Sequence, residues 1–71
     1  MTKQQKIDWV KNVVKNDTDQ RCDVSKYGGN FVVFVENDEL MMEFEGKTYK
    51  VNDLSAKNVN TIYSYFGLLT K

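Results

Sequence analysis

Residues 20 to 52 alternate apolar and polar side chains across three candidate turns, and this pattern restricts the fold more than any other feature of the chain. Gly28 and Gly29 can supply the positive φ angles of a two-residue hairpin, joining a strand over 20–27 to one over 30–36. That pairing sets Val24 opposite Val33 and Cys22 opposite Val35. A second turn at Asn37 and Asp38 sets Val35 against Leu40, Val33 against Met42 and Phe31 against Phe44. A third, at Gly46 and Lys47, sets Phe44 against Tyr49 and Met42 against Val51. All three turns place the same apolar set on one face, and a one-residue slip would send every side chain to the other.

Helical spacing flanks this meander. Over 2–15, Ile7, Val10, Val13 and Val14 form a stripe with Trp9 at its edge, Thr2 and Gln5 fit a capping box, and Asp8, Lys11 and Lys15 fall on the polar side. NDTD at 16–19 ends the helix. After 52, Val59, Ile62, Tyr63, Phe66 and Leu69 share a second stripe, with Asp53 or Ser55 as its cap. Gly67 either ends that helix in a left-handed turn, folding Leu68 back on Tyr63, or lies within it at a cost of ~1 kcal/mol. The expectation is a single α+β domain over 1–71, a two-layer α-β-β-β-β-α arrangement in which both helices pack on one face of an antiparallel meander. Val24, Phe31, Val33, Leu40, Met42, Phe44 and Val51 should be buried with Val10, Val14, Ile62 and Phe66.

The other face then poses a question, because it carries large apolar groups. The register places Arg21, Asp23, Ser25 and Tyr27 there from the first strand, and Val32, Phe34 and Glu36 from the second. Glu39, Met41, Glu43 and Glu45 follow from the third, and Thr48, Lys50 and Asn52 from the fourth. Phe34 should stand opposite Met41 and beside Val32, an apolar centre rimmed by Glu36, Glu39, Glu43 and Glu45. β-branched and aromatic residues favour strands wherever they point, and Arg21, Tyr27 or Lys50 is long enough to lie over them. An apolar patch with a polar rim on an uncovered sheet is also the anatomy of a protein contact. Burying on the order of 300 Å² at ~25 cal/mol/Å² yields roughly 7 kcal/mol, against association costs of ~4–15 kcal/mol. The rim must therefore contribute, and carboxylates contribute best to a basic partner.

Composition removes most other classes. The chain of 71 residues has no histidine and one cysteine, which argues against zinc, haem and most nucleophile–base pairs, so no enzyme and no cofactor is expected. A lone Cys22 forms no internal disulfide, its alternation points inward, and it fits a reducing, cytoplasmic compartment. MTKQQKIDWVKNVV has no unbroken apolar run, so neither a signal peptide nor a membrane span is expected. Ten basic and ten acidic residues balance, so no net field draws the chain to nucleic acid. Lys3, Lys6, Lys11 and Lys15 still form a basic helix, which together with Lys57 supports an alternative reading as a small nucleic-acid-binding regulator. Tyr63, Tyr65 and Phe66 are expected in the core or at its edge rather than as a base-stacking platform. Nine lysines against one arginine, seven asparagines and no proline suggest an AT-rich source such as a low-GC bacterium, its phage or a mobile element.

The element order resembles the double-stranded-RNA-binding domain, with SAKN at 55–58 in place of the lysine-bearing start of that family's second helix. The chain departs from it in lacking a GPxH-like loop, in offering only Lys57 at that start, and in its fourth strand. In size and acidic face it resembles small phage-encoded inhibitors of host or defence proteins. The primary expectation is a non-catalytic protein-binding module of that kind, monomeric or weakly dimeric, acting through Val32, Phe34, Met41, Glu36, Glu39, Glu43 and Glu45.

Overall fold

A computed structural model of the chain describes residues 1–17 and 19–69. Helix α1 spans Lys3–Lys15 and opens with the expected capping box: the Gln5 N–H donates to Thr2 Oγ1 at 3.2 Å, and the Thr2 N–H donates to Gln5 Oε1 at 2.8 Å. Strands β1 (Arg21–Asp23), β2 (Val32–Glu36), β3 (Glu39–Phe44) and β4 (Lys47–Lys50) form one antiparallel sheet in sequence order. Short 3₁₀ turns at Val24–Tyr27 and Val51–Asp53 follow β1 and β4, and helix α2 spans Ala56–Leu69. The architecture is α+β, with the helices packed against the sheet.

The central hairpin has the expected register, with Val33 opposite Met42, Phe34 opposite Met41 and Val35 opposite Leu40. Asn37 and Asp38 have φ of 52° and 62°, positive at both turn positions as a primed hairpin turn requires. The other two hairpins differ from expectation by two residues. β1 stops at Asp23 because the Asp23 carboxylate accepts from the Ser25 N–H at 3.0 Å, a local side-chain bond that competes with the ladder. The chain then coils through the 3₁₀ turn to Gly28, at φ 94°, so Cys22 pairs with Val33 rather than Val35. A Cβ on Gly29 would meet the Val24 side chain at 2.6 Å, which explains a glycine where the turn lies against the core. Glu45 and Gly46, not Gly46 and Lys47, form the third turn, and Met42 therefore faces Tyr49 instead of Val51. An X-Gly pair suits a turn needing positive φ at both positions better than Gly-Lys does.

Both shifts are even, so they move ends without exchanging faces. Val24, Phe31, Val33, Leu40 and Val51 are buried as expected, together with Ile7, Val10, Val14, Val59, Ile62 and Phe66. Val51 reaches the core from the second 3₁₀ turn rather than from a strand. Met42 and Phe44 are corrections: they lie on the helical side but stay partly open, because the helices do not close over the β3–β4 side of the sheet. At α2, the Asn58 N–H donates to Ser55 Oγ at 3.3 Å, which makes Ser55 the cap. The helix continues through Gly67 to Leu69 rather than ending in a left-handed turn. The expected contact of Leu68 lies outside the described side chains.

Candidate functional site

The sheet face away from the helices is organised in cross-strand rows. Its central row runs Arg21, Phe34, Met41, Lys50 from β1 to β4. The next row runs Asp23, Val32, Glu43, Thr48, and on the other side Glu36 stands opposite Glu39. Val32, Phe34 and Met41 are thus brought together as expected, and each is half-buried. Part of that cover is Arg21, whose guanidinium carbon lies 5.8 Å from the centre of the Phe34 ring. The same guanidinium reaches Glu43 at 3.5 Å, which holds it across β2 between Phe34 and Val32. Lys50 approaches Glu39 at 3.8 Å at the other end.

The rim is therefore mixed rather than uniformly acidic. Glu36 is exposed, whereas Glu39 and Glu43 each face a cation. Glu45 leaves the strand for the β3–β4 turn, with φ of 52°, and with Asp23, Val32 and Glu43 borders a shallow hollow of about 350 Å³ at the end of the sheet. Ser25 and Asn52 lie in the two 3₁₀ turns instead of on the face, as does the backbone of Tyr27, whose side chain is outside the described ones.

The basic helix serves as a set of internal ties. Lys3 Nζ donates to the Asn52 carbonyl at 3.0 Å, and Lys6 Nζ donates to Asn60 Oδ1 at 2.8 Å. Lys11 and Lys15 converge on one Asp38 oxygen at 3.4 and 2.8 Å. The Lys15 hydrogen bond, followed by the charge of Lys11, holds the Asp38 carboxyl below its ordinary pKa. The aromatic residues of α2 are also engaged in packing: Tyr63 meets Trp9 edge-on at 5.1 Å, Tyr65 meets Phe31 at 5.7 Å, and Phe66 is buried. Cys22 is half-buried and in no disulfide.

Among the described residues no group of histidine, cysteine, aspartate or glutamate is placed to hold a metal, and no helix is long and apolar enough to cross a membrane. Sequence spacing located the apolar centre but not the Arg21–Glu43 clasp or the Asp38 pairing, which depend on contacts between elements. Comparison with protein-family models, curated proteins and solved structures yields no match, which leaves the surface itself as the basis for a functional reading.

Proposed function

We propose that the protein is a small non-catalytic protein-binding module that engages its partner through the sheet face centred on Phe34. One observation supports this above the others: the central row places two large apolar side chains between two cations, on a face that neither helix covers. Aromatic residues and arginine are the commonest anchors of protein contacts. Arg21, held over Phe34, extends the apolar area and offers guanidinium donors at its margin.

The partner surface is predominantly basic. Asp23, Glu36, Glu39 and Glu43 outnumber Arg21 and Lys50 on this face, and Glu45 adds charge at its end. Self-association through the same face is weak at most, since two copies would bring these carboxylates together. The AT-rich composition supports an origin in a phage or mobile element, and the module then acts by occupying a host or defence protein's surface.

The test is affinity capture of a partner followed by titration of variants. Phe34→Ala is expected to weaken binding about 30-fold, corresponding to ~2 kcal/mol. Glu43→Lys should act mainly on the association rate, with an effect that shrinks as salt rises. Lys11→Ala and Lys15→Ala should leave affinity unchanged. Loss of binding on the lysine changes with none on Phe34→Ala would place the contact on the helices. Nucleic-acid binding with a steep salt dependence would support the alternative, regulatory reading.

A further inference from the structure

β4 is an open edge of the sheet, and all four of its residues are exposed. Phe44 and Lys47 close the two-residue turn as a hydrogen-bonded pair, and ladder alternation makes Met42 and Tyr49 the next such pair. Thr48 and Lys50 therefore direct backbone N–H groups away from β3, toward solvent. On the helical side, one strand in from this edge, Met42 and Phe44 of β3 border a groove of about 210 Å³ together with Asn30, Phe31 and, from α2, Asn58, Thr61 and Ile62. Tyr49, opposite Met42, is one of the two most exposed large apolar residues described, at 36%. Lys47 lies opposite Phe44 and Lys57 precedes Asn58; both are exposed, and neither is in an ion pair among the described residues.

These features select the occupant. A second copy pairing antiparallel along β4 would crowd four lysines, Lys47 and Lys50 of each chain, along one short seam, and like charges across a ladder destabilise it. We infer that β4 accepts an extended acidic segment of another protein as a fifth, antiparallel strand, at an edge that adjoins the Phe34 face and shares Lys50 with it. Read along such a strand, the residue opposite Lys50 is acidic and the one opposite Tyr49 is apolar. The residue opposite Thr48 is unrestricted, and the one opposite Lys47 is again acidic. Main-chain bonds to Thr48 and Lys50 hold the strand, while the lysines and Tyr49 choose its sequence.

The probe is a capped peptide with the core Glu-Val-Thr-Glu, titrated into the isotopically labelled full chain, with a Lys-Val-Thr-Lys peptide as control. The expected result is a shift of the Thr48 and Lys50 amide signals and of the Met42 methyl signal, saturating at millimolar peptide or below, with no response to the lysine peptide. Lys47→Glu combined with Lys50→Glu should weaken the glutamate peptide at least tenfold and admit the lysine peptide. Phe34→Ala should change neither. Equal response to both peptides, shifts centred on Val32 and Phe34, or no response at millimolar peptide would overturn the inference.

Discussion

Phe34, Phe44 and Phe66 share one side chain but occupy three different environments. Phe66 is 1% exposed between the helices and the sheet, so Phe66→Ala is expected to cost ~3–5 kcal/mol through lost transfer energy and an uncollapsed cavity. Phe44 sits at the open end of the groove beside α2, half-buried. Its truncation should cost about 1–2 kcal/mol, because only part of its surface leaves water on folding. Urea denaturation of the two variants checks this ordering, and equal losses would show that the β3–β4 side is closed in solution. Phe34 is half-buried as well, but its neighbours are Met41, Val32 and Arg21 rather than a helix. That difference makes it available to a partner.

Asp38 ties the β2–β3 turn to α1 through Lys11 and Lys15, 23 and more residues away in sequence. Its folded-state pKa is depressed, so its contribution to stability is fully present above the unfolded value of about 3.9. That contribution is lost as pH falls through the lower folded value. Asp38→Asn keeps a residue tolerant of the left-handed turn, so it isolates the charge. The variant should be less stable than the parent at neutral pH, with the difference closing in acid below about pH 4. A difference that stays constant from neutral to strongly acidic pH in denaturant titrations would contradict this. The tie was not legible in the sequence, because it depends on how α1 crosses the sheet. The capping box of Thr2 and Gln5 was legible, since all its atoms lie within one turn of chain. The strand faces were legible as well: alternation has a period of two, so a register error of two residues at Glu45–Gly46 or after Asp23 left the face of each residue that remains in a strand intact. Strand ends were not, because an Asp23 side chain bonding its own backbone leaves no mark on the apolar pattern.

The whole molecule divides its sheet between two tasks. One face meets both helices and supplies the core; the other presents the Arg21, Phe34, Met41, Lys50 row to solvent. Parity alone was enough to place Val32, Phe34 and Met41 together. It could not show that Glu43 would hold Arg21 over Phe34 or that Glu45 would leave the strand, since both depend on side-chain reach and turn geometry. The chain also carries its own reporters, because its three methionines are Met1, Met41 and Met42. Met41 lies in the proposed contact, while its sequence neighbour Met42 lines the groove on the opposite face. The most direct test is therefore a methyl spectrum of methionine-labelled protein titrated with its captured partner. The account predicts that the Met41 signal shifts and saturates with the complex while Met42 and Met1 hold their positions. Movement of Met42 with Met41 unchanged would put the partner on the helical side and contradict the assignment of the open face.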